Sequence, residues 1–224
     1  MKTAKNIAYS VVGVDVKAVF VWVFVALALA GCSALPAPPV RAELYDFGPG
    51  PVGAAGPAAP LPPIALAAVE SVGLPDGSSA LLYRLAYANA QQLRPYTLAR
   101  WSQPPADLLA QALRERLGQQ RVVLSGNEAL ALRQGQGPLP SVLRVQLEEF
   151  SQVFSSAEAS AGWVRVRALL ADTSAAGETP LAQRVFVARR SAATPDAAGG
   201  ARALAEAAAQ VADELADWVR QQGR

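Results

Sequence analysis

The 224-residue sequence has no histidine, one cysteine and no lysine after Lys17. Each absence removes a class of chemistry. Without histidine there is no Ser-His or Cys-His pair, without lysine in the body there is no Ser-Lys dyad or Schiff base, and a Cys/His metal cage cannot be assembled. An excess of charge of either sign is missing too. Beyond residue 31 the chain carries 17 basic residues, all arginine, against 17 acidic ones. A neutral body with scattered arginine lacks the clustered basic surface with which nucleic-acid binders displace counterions. The inventory points away from an enzyme, from a metal or other cofactor and from a nucleic-acid partner. What is plentiful is apolar: 52% of residues are hydrophobic, and the length suits one domain whose core needs no covalent staples.

The N-terminus reads as an address. Ala18 to Ala30 is a run of 13 apolar residues preceded by Lys2, Lys5 and Lys17, the layout of a signal peptide. A spanning helix needs about 20 apolar residues, and this run stops at Gly31. The residues that end it, Leu29, Ala30, Gly31 and Cys32, resemble the bacterial lipobox. In lipoproteins the thiol receives a diacylglyceryl group, the chain is cut just before it, and the new amino terminus is acylated. The resemblance implies residues 1–31 as signal peptide and acyl chains on Cys32 as the only attached group. At about 0.8 kcal/mol per buried CH₂, one chain binds marginally and two or three hold stably. Ser33 is not the aspartate that enterobacterial sorting reads as inner-membrane retention, so the implied destination is the periplasmic face of the outer membrane.

Residues 32–63 hold nine prolines between Ser33 and Pro63 and too few large apolar groups to form a core. They predict a tether reaching at most about 95 Å at ~3.1 Å per residue in polyproline II form. One strand-like piece, Glu43 to Phe47, is positioned to pair with the domain that follows. That domain is expected over residues 64–224.

Ile64 to Val72 and Ala80 to Ala86 read as strands on either side of a Pro75-Asp76-Gly77 turn, pairing as neighbours. A helix follows Trp101, with Ser102 or Gln103 as cap, Pro104 and Pro105 in its first turn, and a stripe of Leu109, Ala112, Leu113 and Leu117 up to Gly118 as C′ residue. Arg121 to Leu124 is a short strand. Ser141 to Phe154, Trp163 to Asp172 and Leu181 to Arg190 alternate apolar and polar residues and are joined by hairpin-length connections, which predicts antiparallel strands with one wetter face. From about Gly200 to Gln222, Leu204, Ala208, Val211, Leu215 and Trp218 form the stripe of a last helix that covers the sheet. The fold class is α/β (α+β): an antiparallel or mixed sheet of five to seven strands with two helices on one face.

Tyr83-Arg84 on a strand, then Tyr96 and Trp101, then Pro104-Pro105 opening an amphipathic helix with Leu108 and Leu113, resemble the auxiliary lipoproteins of Mce-type ABC transport systems, the PqiC/YmbA-like group. The likeness runs from about Leu44 to Gln222 and departs in the Ala/Gly/Pro-rich stretch after Phe47. It implies a lipoprotein on the periplasmic side of the outer membrane that docks a periplasmic Mce protein in intermembrane lipid transport. It supplies no catalytic residues, and it leaves a homo-oligomer open. The motif residues have plainer roles on physical grounds: Trp101 as a core anchor, Tyr83 as half-buried packing, Arg84 as half of an inter-strand ion pair. The adjacent Glu148 and Glu149 would point to opposite faces of a strand unless a bulge intervenes, which speaks against a hydrolase pair. A tethered assembly factor, or an activator of cell-wall enzymes, is the competing reading, since fold does not decide function.

Overall fold

The computed structural model describes residues 41–50, 61–75, 77–125, 128, 139–174 and 176–223, together with Lys17 and Phe20. Leu29, Ala30, Gly31 and Cys32, like most of the leader and tether, lie outside the described residues. Met1–Val40 and Arg41–Arg224 are separate units, and the second holds all the elements below. Its strands are β1 (Glu43–Tyr45), β2 (Ile64–Leu66), β3 (Glu70–Ser71), β4 (Ala80–Leu85), β5 (Ala90–Trp101), β6 (Val123–Ser125), β7 (Ser141–Phe154), β8 (Ser160–Ser174) and β9 (Gly177–Ser191). The helices are α1 (Ala86–Asn89), α2 (Pro105–Gly118) and α3 (Ala197–Gln221).

The meander β7-β8-β9 is antiparallel throughout, with Leu143 opposite Leu170 and Val166 opposite Phe186. Alternation decides its faces. Leu143, Val145, Leu147, Val164, Val166, Ala168, Leu170, Phe186 and Ala188 are all buried, and the intervening residues form the face that the helices leave open. Both connections are short, as expected of hairpins.

The other edge of β7 differs from expectation. β2, β3 and β4 lie end to end along it, all parallel to it, with Ile64 opposite Ser141, Glu70 opposite Gln146 and Tyr83 opposite Gln152. The expected pairing of the 64–72 and 80–86 segments with each other is therefore wrong. A 14-residue strand offers enough edge for both in sequence, and each finds its partner in β7. β4 then pairs with β5, β5 with β1, and β2 with β6. Among the described residues the sheet has nine strands, more than the five to seven expected, because the 64–72 segment splits in two and β5 adds a strand without regular alternation. The Glu43–Phe47 piece does join the sheet: its β1 runs parallel to β5, Tyr45 opposite Trp101.

α2 begins at Pro105, where a missing N–H costs nothing, with Asp107 near the positive end of its dipole. Neither Ser102 nor Gln103 caps it; Pro104 holds the cap position without a side-chain bond. Gly118 is its last residue rather than a C′ glycine, since the helix closes through bonds from Gln119 N–H to Arg116 and from Gln120 N–H to Leu117 carbonyls, with no positive φ required. α3 is capped by Asp196, whose carboxylate accepts from Gly199 N–H at 2.8 Å. Its expected stripe of Leu204, Ala208, Val211, Leu215 and Trp218 is buried. α3 packs on β7, β8 and β9, and α2 packs on α3, so both long helices share one face and one core.

The helix comes very near the sheet at one point. A Cβ on Gly162 would stand 2.6 Å from the backbone of Ala203 and Leu204. Only glycine in β8, beneath a stretch of α3 rich in alanine, allows that approach.

Candidate docking surface

The motif residues assemble into two blocks, both inside the domain. In the first, the Tyr83 and Tyr96 rings lie 4.6 Å apart and Phe154 meets Tyr83 edge-on at 6.0 Å. Tyr96 Oη–H donates to Gln152 Oε1 at 2.8 Å, and Gln152 Nε2 donates to Ser160 Oγ at 2.7 Å. Gln152 is completely buried, so each of these bonds satisfies a group that water cannot reach. α3 crosses above it at Gly200, where a Cβ would fall on the Gln152 amide. Burial, the neighbouring Tyr83 and the charge of Asp196 together push the Tyr96 hydroxyl up to about 12. It stays protonated and serves as a donor.

In the second block Trp101 is 1% exposed. Its ring meets Phe47 and Phe150 edge-on at 5.7 and 5.4 Å, and Phe47 stacks on Phe150 at 5.9 Å. The backbone N–H of Trp101 donates to the Ser79 carbonyl and that of Ser102 to the Tyr45 carbonyl, both at 2.7 Å, so β1 is stitched to the start of α2. Pro104 and Pro105 set that start. Arg84 forms an ion pair with Glu149 at 3.0 Å and also donates to the carbonyls of Ala90 and Gln91, locking β4, β5 and β7 together.

Among the described residues two surfaces offer a partner both area and charge. One is a groove of about 440 Å³ between the residues after β1 and the two long helices. Phe47, Leu108, Ala112 and Ala209 give it an apolar floor, and Asp46, Glu115 and Asp213 an acidic rim. Arg116 at the same rim is bonded to Asp213. The other is the open face of β7-β8-β9 with the β9 edge. A bulge after Leu147 turns Glu148 and Glu149 to the same open face, the exception that alternation had allowed for. Arginine takes each carboxylate: Arg165 and Arg167 bond Glu148 at 2.6 and 2.7 Å, and Arg84 holds Glu149. The Arg165 hydrogen bond, against burial and with help from Arg167, keeps the Glu148 carboxyl below its usual range. A general acid needs the opposite shift. Beside them Arg189 stacks on Trp163 at 4.7 Å from the ring centre.

The groove was not visible in the sequence, because Asp46, Glu115 and Asp213 come from three distant segments. For the open face there was a signal, Arg165 and Arg167 alternating with Val164 and Val166 in β8.

A family model described as the ABC-type transport auxiliary lipoprotein component matches residues 45–216. The chain belongs to that family. The matched span starts in β1 and ends in α3, so it takes in both aromatic blocks, the groove and the open face. This is a family of transport auxiliaries rather than a known enzyme family, and membership points to a membrane-anchored lipoprotein with a transporter as its partner. Among solved structures, the chain is similar to a Xanthomonas campestris protein of the DUF330 family model, at 21% identity and a TM-score of 0.66, over 81% of this chain and 97% of that one. It is also similar to an uncharacterised protein at 15% identity and a TM-score of 0.55, over 80% and 99%. At such identities the likeness concerns the fold. No curated protein sequence matches the chain.

Proposed function

We propose that the protein is an outer-membrane-anchored periplasmic lipoprotein that docks an Mce-type ABC system for intermembrane lipid transport. Acyl chains on Cys32 hold one end, the Pro/Ala/Gly-rich tether spans the gap, and the domain presents a surface to a periplasmic Mce protein. The contribution is local concentration, not chemistry. The observation that carries this reading is the family match across the domain, joined to Leu29-Ala30-Gly31-Cys32 at the end of an apolar run. The motif residues support it by their placement: they are spent on packing and ion pairing, which leaves recognition to surfaces rather than to a catalytic centre.

Residues 41–224 form one unit with its own core, so the soluble fragment should bind the periplasmic Mce protein encoded in the same genome. Transport in cells should fail when Cys32→Ser removes the anchor, because binding and anchoring are separate. A fragment with no affinity for any such Mce protein, from a strain whose deletion leaves outer-membrane lipid balance normal, would hand the case to a tethered assembly factor. Labelled fatty acid should enter the wild-type chain and not Cys32→Ser; equal labelling would refute the anchor.

A further inference from the structure

We infer that the β9 edge is a docking site for an extended, carboxylate-bearing segment of a partner protein, which adds to the sheet as a further strand. β9 is 15 residues long and is paired along that length with β8 alone. Among the described residues no other strand pairs with its free side. In an antiparallel ladder every second residue turns both N–H and C=O away from its neighbour, so the free side offers a row of unmatched donors and acceptors. Water solvates such groups one by one, whereas a further strand pairs with the whole row in register. Leu181 and Val187 are each 46% exposed along it and give the incoming side chains apolar ground.

The charge on the edge selects the occupant. β9 carries Arg184, Arg189 and Arg190 against Glu178, and Glu178 is held bidentately by Arg144 at 2.9 and 3.0 Å. Arg184 lies over Phe186 at 5.1 Å and Arg189 over Trp163. A guanidinium stacked on a ring keeps its in-plane N–H groups free to bond a carboxylate in fork geometry. The stacks therefore hold the arginines ready without occupying their donors. The same charges oppose a second β9: in parallel in-register pairing each arginine faces its own copy, and in antiparallel pairing about Val187 Arg184 faces Arg190. An anionic lipid surface would meet the charge and leave the main-chain row unmatched. The edge thus resists self-pairing and accepts an acidic strand.

The inference rests on the docking role proposed above only in assigning that strand to the transport partner. The test is a titration of the full-length lipoprotein in detergent with a labelled peptide alternating glutamate and valine, read by anisotropy and by amide hydrogen exchange. Saturable binding that weakens with salt is expected, with new protection confined to β9 amides, and no binding by the peptide carrying lysine for glutamate. R184E/R189E/R190E should weaken binding at least about tenfold, the scale of a few charge-assisted hydrogen bonds. Should that variant fail to fold, Arg190→Glu alone should still weaken it measurably. Absent binding, binding that leaves β9 amides unprotected, or equal affinity of the folded variant overturns the proposal. So does β9 protection by a second copy in a concentration-dependent dimer, or by phosphatidylglycerol vesicles in place of the peptide. Peptide binding without Mce binding would sink the transport reading alone, and Mce binding unaffected by the charge reversal would sink the edge alone.

Discussion

Glycine to alanine should have opposite signs at two positions of this domain. In a strand or helix interior the change ordinarily stabilises by about 0.5–1 kcal/mol, because alanine has less unfolded freedom to lose. Gly118 should behave so: it ends α2, has no positive φ, and its added Cβ meets nothing within 4 Å. At Gly162 the new Cβ would sit 2.6 Å from Ala203 C and Leu204 N and 2.8 Å from Ala203 O. Carbon contacts settle at about 3.5–4.0 Å, so α3 or β8 must give way by about an ångström. The obstacles are backbone atoms of a 25-residue helix, which no rotamer change can move aside. A gap of that size forfeits a quarter to a half of the local dispersion energy, and overpacking of this kind costs about 1–3 kcal/mol. Gly162→Ala is therefore expected to lose about 2 kcal/mol and lower Tm by about 4–8 °C, while Gly118→Ala gains a few tenths to about 1 kcal/mol. Urea and thermal unfolding of fragment 41–224, followed by circular dichroism, measure both. A neutral or stabilising Gly162→Ala would refute the close approach of α3 to β8.

Leu215 is fully buried in the α3 stripe, so Leu215→Asp should cost more than about 3 kcal/mol; unchanged thermal unfolding would place the stripe at the surface instead. Tyr96→Phe leaves the Gln152 carbonyl oxygen buried without its donor and should cost about 1–3 kcal/mol, whereas the double change with Gln152→Leu should cost less than the two singles summed; additivity in that cycle would deny the bond. Hydrogen bonds lower the carboxyls of Asp196, through Gly199 N–H first, and Glu148, through Arg165 first. Groups with a depressed folded pKa stabilise above their unfolded values, near 3.8 and 4.5, and lose that contribution as pH falls through the lower folded ones. Acid titration of stability should thus show a decline below about pH 4.5 that is shallower in Asp196→Asn with Glu148→Gln; identical slopes would contradict the shifts.

By itself the sequence determined which residues face the core. Period-two alternation in 141–154, 163–172 and 181–190 and the apolar stripes of the two long helices follow from backbone geometry that any chain obeys, and the structure keeps those assignments almost residue for residue. Pro105 and Asp107 likewise marked the start of α2 without its neighbours. Alternation names a face, however, and never a partner. That β2, β3 and β4 line up along one edge of β7 was decided by tertiary packing, as was the entry of β1 through β5. Strand β5 carries no regular alternation: a register shift in its pairing with β4, between Ala80 and Leu82, breaks its period, so Tyr96 and Trp101 both point inward from an irregular pattern. The Gln152 network, the acidic groove and the arginine-bearing edge of β9 are likewise products of the fold. Each joins residues far apart in the chain, and only the closing of the sheet under α3 sets the distances at which they meet.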